Sequence, residues 1–322
     1  MQPAVDLTRR TLEQLDALLL GQSRLHRMVL VGVLSRGHIL LEGVPGVGKT
    51  AMIKALGHVL NLSFKRVQFT PDLMPGDIVG AAILQEDEHG HRTMTFEHGP
   101  VFTHILLADE INRASPKTQS ALLEAMQERC VTTLGDTRPL PDPFFVLASQ
   151  NPIELEGTYP LPEAQVDRFM LKTVVGYPSR EDELLILRRM ARTAEVEEVR
   201  TVVQPEQILA AREVVDSLWM DPSVEEYVVD LVLATREPSR YGVPGTDGLV
   251  AHGASPRATI ALALGARAAA FLDGRPYVTP DDVRSVALDV LRHRVGVTYE
   301  AEAEEVTADQ IVQRVLDKVP VP

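Results

Sequence analysis

The stretch LLEGVPGVGKTAMIKAL, from Leu40 to Leu56, constrains this chain more than any other. Gly43, Gly48, Lys49 and Thr50 satisfy the G-x-x-x-x-G-K-[ST] spacing, after an apolar run and before a helical pattern. Glycines there let the backbone curl so that successive N–H groups point inward at phosphate oxygens, and the following helix N-terminus adds a favourable dipole. Gly43, Val44, Pro45, Gly46, Val47, Gly48, Lys49, Thr50 and Ala51 are therefore expected to cradle a nucleotide. Lys49 would reach the β- and γ-phosphates, and the Thr50 hydroxyl would serve Mg2+. Behind the loop, Ile53, Leu56 and Leu60 recur at the spacing of a helix that buries one face.

A loop of this kind that hydrolyses its nucleotide needs a second site, at the end of a neighbouring buried strand. The apolar run Ile105 to Ala108 ends in Asp109 and Glu110 and has the length of a parallel central strand. Asp109 is expected to hold Mg2+ through its water shell, and Glu110 to orient or deprotonate the attacking water. Ser115 and Pro116 read as N-cap and first turn of a helix burying Leu122, Leu123 and Met126. A third run, FFVLASQNP, ends in Gln150 and Asn151. An amide there can hydrogen-bond both the γ-phosphate and the water held by Glu110; the alternative is a turn amide bonding its own backbone before Pro152.

The rest of the chain bounds what surrounds this chemistry. Its 322 residues suggest two domains. No apolar run approaches the roughly 18 residues that span a bilayer, and the start MQPAVDLTRR lacks the apolar core of a signal peptide. The expected location is the cytoplasm, with no membrane insertion. The single cysteine, Cys130, excludes an intrachain disulfide. A net charge of −13 and a pI near 5.2 argue against wide contact with nucleic-acid backbones. After GYPSREDE the strand-like runs give way to helical periodicity, as in PEQILAAREVVDSL, where Ile208, Leu209, Val215 and Leu218 form one stripe. The domains are expected at residues 1–177, α/β and nucleotide-binding, and 178–322, helical.

The pattern closely resembles the AAA+ ATPases, and within them the MoxR family. LLEGVPGVGKT, FTPDLMPGDIVG, FEHGPVF, LLADEINRASPKTQSALLEAMQE, ASQNPIELEGTYPLPEAQVDRFML, GASPRAT and GRPYVTPDDV stand in the family's order. The resemblance implies a P-loop NTPase αβα sandwich with a parallel central sheet, followed by a smaller all-α lid. It also implies ATP with Mg2+ and a homo-oligomer, expected to be a hexamer, with active sites between subunits. By that resemblance Asn151 matches sensor 1, and Arg257 the sensor 2 arginine, on a helix capped by Ser255 and Pro256 and aimed at the phosphates. Arg168 matches the arginine finger, with Arg113 as the other candidate, and Gln22 matches the segment that packs near the adenine.

Two insertions interrupt the minimal plan, at about 69–102 and about 130–143, each with a hairpin pattern. The resemblance makes the first the helix 2 insert, facing a central pore. His89, His91, His98 and His104 fall on a polar turn and on different strand faces, a poor pattern for a metal. The expected function is that of an ATP-driven chaperone or remodeller acting on a protein client, and the resemblance adds von Willebrand factor A domain proteins as a partner class. The alternative is a ring-shaped nucleic-acid motor. It would need basic hairpins, whereas the first carries Glu86, Asp87 and Glu88 against Arg92 and the second has Arg138 alone.

Overall fold

The computed structural model describes residues 2–18, 21–43, 49–86, 92–133, 135–151, 157–191 and 201–322. Helices α1 (Gln2–Leu18) and α2 (Ser23–Leu34) lead into strand β1 (Ile39–Gly43), helix α3 (Lys49–Val59) and strand β2 (Phe64–Gln68). A short helix α4 (Pro75–Val79) carries the chain into the hairpin of β3 (Gly80–Glu86) and β4 (Arg92–His98). Strand β5 (Ile105–Asp109) and helix α5 (Pro116–Glu128) follow, then a second hairpin, β6 (Cys130–Thr133) and β7 (Asp136–Pro139). Strand β8 (Phe145–Gln150), helix α6 (Glu163–Val166) and strand β9 (Leu171–Val175) complete the first half.

β1, β2, β5, β8 and β9 form one parallel sheet in the order β2-β5-β8-β1-β9. The inner strands β1, β5 and β8 are apolar at successive positions because both faces are covered, whereas the edge strands β2 (FKRVQ) and β9 (LKTVV) carry polar residues. Alternation divides those residues between two cores. Ile39, Leu41, Ile105, Leu107, Phe145 and Leu147 face one core with residues of α2 and α3, while Leu40, Leu106, Ala108, Val146 and Ala148 face the other with Leu122 and Met126 of α5. This is the αβα sandwich.

The second half is helical: α7 (Arg180–Met190), α8 (Pro205–Ser217), α9 (Pro222–Arg236), α10 (Pro256–Leu272), α11 (Pro280–Leu291), α12 (Tyr299–Ala303) and α13 (Ala308–Lys318). Its core is continuous with the first face of the sheet, so the lid packs on the nucleotide-binding half rather than hanging from a tether. The expected caps are formed at Ser115, which accepts from the Thr118 N–H, and at Ser255, which accepts from the Arg257 N–H; at Thr279 the cap is made from the other side, the Asp282 carboxylate accepting from the Thr279 N–H at 2.8 Å. One detail departs from an all-α lid. β10 (Val250–His252) pairs antiparallel with β11 (Gly296–Val297) and closes the Gly/Pro-rich loop before α10.

Both insertions are antiparallel hairpins, with Gly80↔His98 through Glu86↔Arg92 in register in the first and Cys130↔Pro139 through Thr133↔Asp136 in the second. Gly80, at φ 98°, leaves no room for a side chain: a Cβ would stand 2.3 Å from the Glu97 carbonyl oxygen. The hairpins touch each other, with the Arg138 guanidinium carbon 4.2 Å from the centre of the Phe96 ring. The tip residues 87–91, including His89 and His91, lie outside the described residues. His98 packs edge-on against Phe102, and His104 Nδ1 lies 2.8 Å from Ser63 Oγ. No helix among the described residues is long and apolar enough to cross a membrane.

Candidate nucleotide site

Parallel register brings the ends of four strands together. Glu42 lies opposite Gln150, and Gln68 opposite Asp109, so β1, β2, β5 and β8 share one carboxyl edge. Ligands of open α/β sheets sit in the crevice outside that edge. Gly43 ends β1 there, where a Cβ would stand 2.5 Å from the Val175 carbonyl oxygen. Lys49 opens α3, and its Nζ donates to the Gly43 carbonyl at 2.8 Å. Burial lowers the Lys49 pKa, and the negative charges of Asp109 and Glu110 oppose that shift. Lysine and carboxylates are therefore neighbours in space as well as in expectation.

At the end of β5 the backbone turns sharply. Glu110 takes φ 55° and ψ 50°, the left-handed region that non-glycine residues seldom occupy. The turn lets two consecutive carboxylates take different partners. Asp109 Oδ2 accepts from Arg66 Nη2 at 2.7 Å, and Oδ1 accepts from the Ser149 hydroxyl, whose Oγ in turn accepts the Glu110 N–H at 2.9 Å. Glu110 Oε2 accepts from Gln68 Nε2 at 2.7 Å and from Arg113 Nη1 at 3.0 Å. Arg113, the alternative finger, is thus engaged by its own subunit's Glu110.

Arg66, Gln68 and Ser149 were not expected from the sequence. They come from β2 and β8, and only the strand order shows that these ends meet Asp109 and Glu110. The available signal was slight: Ser149 stands near the end of the apolar run of β8, but Arg66 and Gln68 belong to the polar edge strand FKRVQ. Thr50 and Ala51 are exposed in the first turn of α3, Asn151 is buried just beyond β8, and Gln22 is half-buried at the N-cap of α2. Val44, Pro45, Gly46, Val47 and Gly48 lie outside the described residues. Among the described residues no cluster of three His, Cys, Asp or Glu could hold a metal alone. A Thr50 hydroxyl and an Asp109 carboxylate are nonetheless the hard oxygen donors that Mg2+ takes beside substrate phosphates and water.

Arg168 and Arg257 stand elsewhere. They line a cavity with Arg36 and His38, which precede β1, and with Arg129, which follows α5. That is the amino edge of the sheet. The five residues of β1 separate it from the carboxyl edge, a span of about 15 Å. Asp167 joins the two halves here: its carboxylate accepts from Arg294 Nε at 2.7 Å, from Ser255 Oγ at 3.0 Å and from Arg257 Nη1 at 3.3 Å. Arg294 is buried and also donates to the Phe169 carbonyl at 2.7 Å. The structure therefore groups Lys49, Asp109 and Glu110 at one edge, and Arg168 with Arg257 at the other.

Comparison with known proteins agrees with this architecture. Residues 38–171 match the model of the ATPase family associated with various cellular activities, and residues 246–315 match that of the AAA lid domain. The chain is 46% identical over 318 residues to the Mycobacterium tuberculosis protein named Chaperone MoxR1, covering 99% of this chain and 83% of that one. It is 33% identical to Protein MoxR of Methylorubrum extorquens, over 98% of this chain and 96% of that one. A crystal structure of a candidate ATPase from Cytophaga hutchinsonii superposes with a TM-score of 0.93 at 42% identity, covering 100% of this chain and 96% of that one. From the phosphate-binding loop to the lid, the chain belongs to the MoxR family of AAA+ ATPases.

Proposed function

We propose that the protein hydrolyses ATP with Mg2+ in a ring of identical subunits, six on the family's pattern, and uses the cycle as a cytoplasmic chaperone or remodeller of protein clients. The observation that carries the shared site is the separation just described. Arg168 and Arg257 lie about 15 Å, the length of β1, from the edge that holds Lys49 and Glu110. One subunit cannot bring both edges to one γ-phosphate, but a neighbour can present its amino edge to the other's carboxyl edge. Lys49 then binds the phosphates, Glu110 orients the attacking water and takes its proton at a carboxylate oxygen, and Arg168 with Arg257 stabilises charge from the neighbour. Thr50 and Asp109 would hold Mg2+, which neutralises charge on the phosphate oxygens. Asn151 is the amide placed to sense the γ-phosphate, and Gln22 belongs near the adenine.

The hairpins supply the working surface. Leu84 and Met94 are cross-strand partners in the first hairpin, yet 59% and 63% exposed. An apolar pair held outward on a paired hairpin suits a protein client. Nucleic acid has little to hold here, because Arg138 is occupied by Phe96 and by Asp136 at 3.0 Å. The expected partner class is proteins with von Willebrand factor A domains. Glu110→Gln traps the ATP state, and pulldown with that variant is expected to retain a specific client; the added change Leu84→Ser with Met94→Ser is expected to release it while ATP binding persists. Capture of no specific protein, or ATPase stimulation by DNA or RNA at low salt, contradicts the client reading.

A further inference from the structure

The cavity at the amino edge has a volume of about 270 Å3 and is lined by Arg36, Arg129, Arg168, Arg257 and Arg294 against a single carboxylate, Asp167. Asp167 is committed to Arg257 and Arg294. Among the described residues no acid lies within ion-pairing distance of Arg36, Arg129 or Arg168. On a chain with net charge −13, so concentrated a positive site is conspicuous. Concave surfaces of one sign focus potential and gather counter-charge. The volume is below the roughly 300 Å3 at which pockets enclose drug-sized ligands, so it suits a phosphate group entering from outside better than a whole nucleotide.

Arg129 is the member with no assigned role and the most deliberate placement. It follows α5 in the left-handed region, at φ 53°, and Arg36 has φ 54°. Arg129 Nη2 donates to the Arg36 carbonyl at 3.0 Å, which fixes the guanidinium and leaves its other N–H groups without a protein acceptor among the described residues. Burial and the Arg36 charge both lower the Arg129 pKa, and the Asp142 carboxylate, which is itself paired with Arg212 at 3.1 Å, only partly opposes them. A planar guanidinium held this way suits a phosphate, which it can bind through two parallel N–H donors.

We propose that Arg129, oriented by the Arg36 carbonyl, is a further arginine given to the neighbouring subunit's ATP phosphates, alongside Arg168 and Arg257. This rests on the shared-site reading above. The test mixes full-length subunits that are separately deficient. Arg129→Ala alone is expected to lose tenfold to a hundredfold in turnover, roughly the worth of a charge-assisted contact, and to regain activity when mixed with Glu110→Gln subunits, which keep Arg129 but cannot hydrolyse. Arg129→Lys, which keeps the charge with a simpler donor, is expected to lose less and to be rescued in the same way. Arg168→Ala mixed with Glu110→Gln is the reference. If that reference recovers but both Arg129 variants keep full activity, Arg129 is dispensable for turnover, and if they are defective and unrescued it acts within its own subunit; either result overturns the proposal. If the reference itself stays inactive in proven mixed assemblies, the shared site fails and this proposal with it.

Discussion

In the proposed cycle Glu110 is the residue on which hydrolysis turns. Its left-handed backbone and the amide and guanidinium donors on Oε2 hold it as an aimed carboxylate. Replacing it by glutamine keeps the shape and removes the proton acceptor, so turnover is expected to fall by about a hundredfold or more while ATP binding persists; phosphate release and nucleotide titration check the two halves separately. His38 gives a different kind of prediction. Val146 N–H donates to its Nδ1 at 3.0 Å, so Nε2 carries the proton and donates to the Met126 carbonyl at 3.1 Å. Burial is the main cause that lowers its pKa from 6.5 to about 4. Between those values the unfolded chain binds a proton that the folded protein refuses, so stability falls as pH drops through that window and is complete above it. The loss is about 3 kcal/mol at about 1.4 kcal/mol per pH unit, and buried His293, also lowered, adds in the same direction. By pH 5.0 about 2 kcal/mol of this is lost, so the urea midpoint should be lower at pH 5.0 than at pH 7.5, and His38→Gln should flatten the difference.

At the scale of elements, lid and sheet are joined by a buried charge. Arg212 of α8 is 2% exposed and donates to the Val33 carbonyl at 3.0 and 2.8 Å and to Asp142 Oδ1 at 3.1 Å. Arg212→Met should cost about 2 to 4 kcal/mol, since the Val33 carbonyl is left buried without its donors; a lowered urea midpoint at unchanged slope would show it. Sequence pattern alone hid this residue. The stripe of Ile208, Val215 and Leu218 is buried as read, but Leu209 is only half-buried and Arg212 sits inside, because periodicity counts arginine as polar whatever it can bond. The inner strands, the hairpins and the helix caps were legible because apolar runs, turn residues and Ser, Thr and Pro at helix starts act locally, whereas the edge strands β2 and β9 are too polar to stand out as runs. The partners of Asp109 and Glu110 were not, since Arg66, Gln68 and Ser149 reach them only through strand order. The β10–β11 pair was hidden for a similar reason: its strands are too short for a period and lie far apart in the chain.

Across the proposed ring no subunit holds a complete site, because β1 separates Arg168 from Glu110 and Lys49. The most direct measurement is ATP hydrolysis by Arg168→Ala and Glu110→Gln proteins, each inactive alone, before and after subunit exchange. Activity is expected to return on mixing, because a subunit that keeps Glu110 then borrows Arg168 from its neighbour. Continued inactivity in assemblies shown to contain both proteins would contradict it.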